Sequence, residues 1–411
     1  MKLHKFLLRI LMFPLFPILG TFGDTYETIT TSHTLNKTFY NGNFLKGQDN
    51  YVVFDQFAER QNNVDIPLNR GDTAVFTRVS PFALSRSALT EGTNPSATKI
   101  YGNTVSATVA EYGAFVEPSK KYWLTNMDAH LAETAREQGK AAASTVDSLI
   151  WEAVAEGGIG LLADADSTQS GEVVVVSNST TALTVTGLPS GIVGSDIGMC
   201  VVLTGVNAGK TFSYTYASAG IITLGATPEN DFTVGDICRV CGTQALATGD
   251  TIDVELIRKA VALLESNGSP VFDDGYYHAV YTPLQKYDFQ RDSEWINMKH
   301  YAAPKDLYRN LDGEIFNVRF HKDLVPYRSA VSTFGTYSAS GAVYVLSIFG
   351  KGAFGNVRVK GVNKKFYMCP PVATASNPLA MFGTMGWYEL CAPTVLDGRR
   401  IVNIFNVPTT V

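Results

Sequence analysis

The stretches Thr73-Ala74-Val75-Phe76-Thr77-Arg78-Val79 and Thr104-Val105-Ser106-Ala107-Thr108-Val109-Ala110 decide how this chain is read. In each, apolar and polar residues alternate with the two-residue period of a strand that buries one face. The residues between them are rich in Ser, Thr, Gly and Pro and too many for a tight hairpin turn. The pattern predicts a long two-stranded flap with a polar tip, led in by Asp65-Ile66-Pro67 and Gly71.

Beyond Pro118 the character changes. Asn126 to Glu156 holds one glycine, Gly139, no proline, and many Ala, Leu, Glu and Lys, which predicts the longest helix of the chain. Met127, Leu131 and Ala135 begin an apolar face that Val146, Leu149, Ile150 and Val154 continue, and Gly157-Gly158 ends it. Asp128, Glu133, Glu137 and Asp147 are expected on the solvated face rather than as an acid/base pair. From Asp166 to Gly242 the residues turn to Val, Thr, Ser and Gly, with strands at Glu172 to Ser177, Ala182 to Thr186, Cys200 to Thr204, Thr211 to Tyr216 and Ile221 to Leu224, an all-β module. A helix over Thr251 to Ser266 follows, with Val254, Ile257, Ala260, Val261 and Leu264 on one face and Asn267-Gly268 as its cap. Strands are expected again at Tyr277 to Tyr281, Ile315 to Phe320, Ala342 to Phe349, Val357 to Val362 and within Gly386 to Asn403. On the N-terminal side, Thr25 to Asn63 reads as an extended arm in which Leu45 to Phe57 holds a short helix. Helix and strand mix without a repeating period, so the class is α+β.

A chain of 411 residues exceeds one typical domain. Charged residues make up only 17%, against 23 Phe, 19 Tyr and 4 Trp, a balance that favours core and subunit interface over open water. The net charge of -5 excludes a protein that grips nucleic acid through its phosphates. Cys200, Cys238, Cys241, Cys369 and Cys391 are too scattered for a disulfide scaffold, and a reducing compartment suits them. At the N-terminus, Lys2, Lys5 and Arg9 precede the apolar run Ile10 to Leu19, a pattern like a secretory leader. Pro14 and Pro17 interrupt the run, which is too short to cross a bilayer as a helix, so an apolar arm packing on a neighbouring subunit is preferred.

No constellation for catalysis is visible. Gly205-Val206-Asn207-Ala208-Gly209-Lys210-Thr211 is one residue short of a phosphate-binding loop, and the strand-like Phe212 to Tyr216 after it offers no helix N-terminus, so a hairpin turn is expected. Cys238 and Cys241 have the gap of a zinc knuckle, but the module lacks histidine and only Cys200 is at hand as a third thiol; they read as buried strand residues, with a disulfide open to them. The six histidines, His4, His33, His130, His278, His300 and His321, are dispersed and read as structural. Asp273-Asp274-Gly275 reads as a turn. Neither metal nor cofactor is expected.

Ile66-Pro67, Gly71 to Arg78, Leu89-Thr90-Glu91-Gly92 with Pro95, and Glu111-Tyr112-Gly113-Ala114-Phe115-Val116 occur in the order and spacing of one family. Asp147 to Ile150, Asp274 to Tyr277, Trp295 before Tyr301, Gly313-Glu314-Ile315 with Val318-Arg319-Phe320, Gly350 to Gly355, Asn377-Pro378-Leu379 and Gly386-Trp387 extend it. The chain resembles the tailed-phage major capsid proteins typified by coliphage N-four, over roughly Thr25 to Asn403, interrupted mainly by the β module.

The resemblance implies the Hong Kong 97 fold, divided into an N-terminal arm (1–65), an extended two-stranded loop (66–117), a spine helix with peripheral domain (118–165), an inserted β domain (166–245), an axial domain (246–310), and peripheral strands returning to the axial domain (311–411). It implies a non-enzymatic coat protein forming hexamers and pentamers of an icosahedral shell that encloses double-stranded DNA without reading its sequence. Portal, scaffold and decoration proteins are its implied partners, no membrane is involved, and assembly takes place in the host cytoplasm. Arg78, Arg86, Glu91 and Gly92 are the candidate inter-subunit residues, with Arg78 and Glu91 serving in ion pairing or loop positioning; a plain turn over Leu89 to Gly92 is the equal alternative. An exported β-rich surface or adhesion protein is the other function the N-terminus and β module suit.

Overall fold

The computed structural model describes residues 42–48, 52–59, 65–66, 71–80, 88–89, 91–95, 97, 99–125, 128–163, 170–192, 197–218, 220–242, 246, 249–292, 314–323, 343–359, 365–373 and 377–409. These divide into two compact units. One draws on residues 1–50, 113–143 and 364–389, the other on 51–112, 144–363 and 390–411. The long helix Asp128–Gly157 and the strand Thr384–Val395 run through both.

The larger unit is built on a mixed six-stranded sheet in the order Glu314–Ile315, Val318–Lys322, Tyr277–Tyr281, Tyr344–Phe349, Ile401–Asn406, Ile159–Leu162. Its central strands are buried along their whole length, because both faces are covered. On one face the helix Val254–Ser266 sets Ile257, Ala260, Val261 and Leu264 against Ala279, Ile348, Val402 and Ile404. On the other, Val146, Ile150 and Val154 of the long helix meet Val280, Phe349 and Ile401, together with Phe54 and Phe354. Two-sided burial is why these strands read as continuous apolar runs instead of alternating ones. The helix Val254–Ser266 starts where Asp253 accepts the Leu256 N–H at 2.8 Å, a cap contributing about 1 kcal/mol, and ends at Asn267, with Gly268 at φ +67°. Asn403 donates to the carbonyls of Val154 (2.8 Å) and Ala155 (3.1 Å), occupying two orphan acceptors at the end of the long helix.

Asp147 departs from the expected solvated face. It is fully buried, and its Oδ1 accepts the backbone N–H groups of Val53 (3.1 Å), Phe54 (2.8 Å) and Asp55 (3.3 Å). It thereby holds the 3-10 turn Phe54–Gln56 against the helix. The short helix expected over Leu45 to Phe57 is two pieces, a helix at residues 42–48 and this turn.

Residues Ser170 to Gly242 supply a closed, antiparallel six-stranded barrel, ordered Ile221–Leu224, Ala182–Thr186, Ser170–Ser179, Ile237–Gly242, Ile197–Val202, Thr211–Ser218. Its interior is filled by Val173, Val175, Leu183, Cys200, Tyr214, Ile222, Cys238 and their neighbours. Cys200 and Cys238 are free thiols hydrogen-bonded to each other, and that bond together with burial raises the Cys200 pKa well above the ordinary thiol value. Burial likewise pushes Cys241 up to about 12, so it stays protonated and unreactive at neutral pH.

In the smaller unit, Lys365–Cys369 pairs with Thr384 to Tyr388. The helix at 42–48 lies against the first half of the long helix at backbone contact: a Cβ on Gly139 would collide with the Phe44 carbonyl, and one on Gly47 with the Arg136 carbonyl. Gly139, the lone glycine of the predicted helix, is what admits that approach. Phe44 stacks on Phe366 at 5.0 Å.

Candidate subunit-contact site

The flap forms as the alternation requires. Thr73–Val79 and Gly102–Thr108 pair antiparallel from Thr73↔Thr108 to Val79↔Gly102. The second strand begins two residues earlier than expected, at Gly102-Asn103, which carry no apolar signal. Ala74, Phe76 and Ala107 turn inward onto Ile66, Val357 and Ala392; Val75 and Val79 stay exposed on the opposite face.

At the end of the ribbon that adjoins the connecting loop, several polar side chains are anchored within the chain. Arg78 forms an ion pair with Asp397 at 2.6 Å and donates to the carbonyls of Ala208 and Leu396. Asp397 is almost wholly buried and is also contacted by Arg399 (3.0 Å) and Arg400 (3.4 Å). Burial lowers the Arg78 pKa and Asp397 opposes that shift, so the pair holds its charges in a partly desolvated setting. Ser80 Oγ (2.6 Å) and Asn103 Nδ2 (2.5 Å) both donate to the Val206 carbonyl. Thr104 gives its N–H (3.1 Å) and hydroxyl (2.8 Å) to Glu229, which also accepts from Lys210 at 2.5 Å. The Lys210 and Thr104 hydrogen bonds bring Glu229 down to about 2.

The turn Gly205 to Lys210, expected as a hairpin connection, is one, and it is also the seat of the flap. Gly209 sits at φ +85°, where a Cβ would strike the Arg78 guanidinium and the Asp397 carboxylate. Of the four residues singled out from sequence, Arg78 lies at this loop end of the ribbon with its carboxylate partner in its own chain. Glu91 and Gly92 form an exposed turn at the tip, Gly92 at φ +78°, flanked by Leu89 at 69% and Ile100 at 73% exposure. Arg86 lies outside the described residues, as do the apolar run Ile10 to Leu19 and the stretch from Trp295 to Gly313. Sequence reasoning missed Asp397, Glu229 and Asn103, since each acquires its role from a partner more than a hundred residues away.

The smaller unit displays an apolar surface. Buried Asn377 accepts the Met381 N–H (2.7 Å) and donates to the Phe382 carbonyl (2.8 Å), folding a knuckle with Ala380 at φ +51°. Lys120 N–H donates to the Met381 carbonyl at 2.6 Å and Gly383 N–H to that of Pro118 at 3.0 Å, tying the knuckle to the helix Lys120–Thr125. What it presents outward is Leu379 (72% exposed), Met381 and Phe382, with Leu124 at 76%, Tyr122 and Phe115 also exposed in that unit.

Two histidines read as dispersed come together. The adjacent parallel strands Tyr277–Tyr281 and Val318–Lys322 bring His278 Nδ1 to 2.8 Å from His321 Nε2, with Phe57 stacked on His278. Burial lowers the His278 pKa, with Asp274 opposing. Among the described residues no group of three or more His, Cys, Asp or Glu is spaced to hold a metal ion, and no helix is long and apolar enough to cross a membrane.

No family model matches the chain, and no curated protein matches it. Among solved structures it is similar to the capsid asymmetric unit of cyanophage Pam1, at 12% identity over 87% of this chain and 92% of that one, with a TM-score of 0.51. The cyanophage P-SCSP1u capsid (11% identity, 88% and 89% covered, TM-score 0.49) and the Ralstonia phage GP4 capsid (13%, 89% and 91%, 0.48) are also similar. The Pam1 likeness shows the fold: this is an α+β chain with the architecture of a tailed-phage capsid protein.

Proposed function

We propose that the chain is the major capsid protein of a tailed phage, with the Hong Kong 97 architecture, its sisters joining as hexamers and pentamers into an icosahedral shell around double-stranded DNA. The observation that carries this is the likeness to the Pam1 capsid chain over nearly the whole of both. The barrel Ser170 to Gly242 is, in this reading, a domain inserted between the spine helix and the axial domain. The flap lies across a sister copy, and the knuckle at Asn377 to Gly383 is part of the surface sisters share, so that modest heterologous contacts close a container. Glu91 and Gly92 at the tip, and Arg86 near it, meet the neighbour; Arg78 positions the loop that carries them. The protein acts by geometry and not by turnover, and resides in the virion after assembly in the host cytoplasm with portal, scaffold and decoration proteins. The capsid likeness does not favour the exported-surface reading.

Electron microscopy of the expressed chain tests the proposal. Closed particles or rings of five and six are expected, and a protein that stays monomeric at every concentration and ionic strength, with or without scaffold, would overturn it.

A further inference from the structure

His278 and His321 lie side by side on the strands Tyr277–Tyr281 and Val318–Lys322, His278 is buried, and their facing nitrogens are 2.8 Å apart. At that distance one ring donates and the other accepts, so the closed contact holds one proton between the two nitrogens and has no room for a second. On the far side of the His278 ring, Nε2 lies 3.4 Å from Asp274 Oδ2, which Arg319 holds in turn at 2.6 Å; Arg319 also pairs with Glu314 at 2.7 Å. Asp274 and Arg319 are the charged groups that act on His278, and Asp323 is buried two residues beyond His321. The strand Tyr344–Phe349 sets Phe349 opposite His278, and residues 52–59 bring Phe57; neither side chain ionises. Phe57 covers both imidazoles, its ring centre 4.5 Å from that of His278 and 4.8 Å from that of His321, and Phe272 meets His278 edge-on at 4.6 Å.

We propose that the His278–His321 pair is a proton-operated latch: a second proton on the two rings forces them apart, and the chain at Phe57 to Glu59 loses the surface on which Phe57 rests. With both rings protonated, the facing nitrogens each carry a hydrogen and a share of positive charge, and the aromatic walls supply no acceptor to separate them. Burial lowers the His278 pKa, with Asp274 opposing. The open state therefore takes up more protons than the closed one, so the latch is at full strength above the ordinary histidine value of 6.5 and weakens as pH falls below it. Asp147, bonded to the N–H of Phe54 at 2.8 Å, keeps the other end of the turn in place, which confines the release to Phe57, Ala58 and Glu59.

Hydrogen exchange of the full-length chain, read as protection factors so that the intrinsic pH dependence of exchange is divided out, tests the latch between about pH 7.5 and about pH 5. The amides to follow are Phe57, bonded to the Phe54 carbonyl at 3.0 Å, and Glu59, bonded to that of Phe354 at 2.9 Å. Their protection is expected to fall below pH 6.5 by about tenfold per pH unit, the slope of one extra proton taken up on opening. The helix Val254–Ser266 keeps its protection over this range; an equal loss there would mark general acid unfolding and overturn the proposal. In His321→Gln the amide donates or accepts, the closed contact tolerates the one proton left, and most of the fall is lost. Asp274→Asn, at a side chain 31% exposed, removes the carboxylate that lets the closed pair keep its first proton, so the fall deepens; it decides the matter if His321→Gln folds poorly. A flat wild-type profile, a fall that His321→Gln leaves as it was, or one that Asp274→Asn does not deepen overturns the latch. The measurement needs no shell, so its failure is distinct from a failure to assemble.

Discussion

The contact between Arg78 and Asp397 is expected to set the position of the flap, and its strength can be worked from its surroundings. Two unit charges about 4 Å apart attract by about 4 kcal/mol at an effective dielectric near 20. Two features reduce that figure. The Arg78 side chain is 28% exposed, and Asp397 is shared with Arg399 and Arg400. A coupling of about 1–2 kcal/mol remains. Local hydrogen exchange across Thr73–Val79 is the suitable assay, because it reads opening of the flap without requiring the whole chain to unfold in one step. Arg78→Met is expected to speed exchange there on the order of tenfold, since 1.4 kcal/mol is a factor of ten. Asp397→Asn should do more, because it leaves three arginines without their shared counter-charge. In the double variant the losses should fall short of their sum by the coupling energy. Additivity to within about 0.3 kcal/mol would refute the reasoning and leave Ser80, Asn103 and Thr104 as the whole of the anchor.

Asp147→Ala strips the acceptor from three backbone N–H groups and should destabilise by about 3 kcal/mol or more, with Asp147→Asn milder; faster protease cleavage near Phe54–Phe57 reports it. Glu229, held at about 2 against an ordinary 4.5, contributes stability that is whole above 4.5 and lost as pH falls toward 2. Because its side chain is 38% exposed the contribution is screened and small, and Glu229→Gln should flatten that part of the thermal-stability profile against pH. Gly139→Ala gains about 1 kcal/mol of helix propensity, yet its Cβ meets the Phe44 carbonyl, so the melting temperature should drop. Leu379→Glu alters an exposed residue; the chain should fold as before, with an unchanged circular dichroism spectrum, while particle formation measured by sedimentation fails.

What could be read from the sequence divides along a physical line. The flap strands announced themselves because one face is wet and one is dry, and the helix expected over Thr251 to Ser266 because its apolar residues keep one stripe and Asn267-Gly268 end it, though its start lies at Val254, behind the Asp253 cap. The strand Ile159–Leu162 did not, since a strand buried on both sides has no period to detect, and Gly386 to Asn403 concealed two strands divided by the 3-10 turn Gly398–Arg400. Closure of the barrel depends on Ser170–Ser179 pairing with Ile237–Gly242, a register no local pattern encodes.

The anchor of the flap is less legible still. It joins Arg78 and Asn103 from the flap, the barrel turn at Val206 to Lys210 with Glu229, and Asp397 from near the C-terminus. Each of these residues alone reads as an ordinary surface polar group. Assembled, they fix the ribbon at Val79 and Gly102, where the connecting loop leaves it. A two-stranded ribbon is marginal by itself in water, so an anchor of buried charge at the root of the loop sets the direction in which it leaves, while the exposed turn at Glu91 and Gly92 is left to what it meets. Substitutions at the anchor should therefore alter the geometry of assembled particles, whereas substitutions at Leu89 or Ile100 should alter only the concentration at which they form.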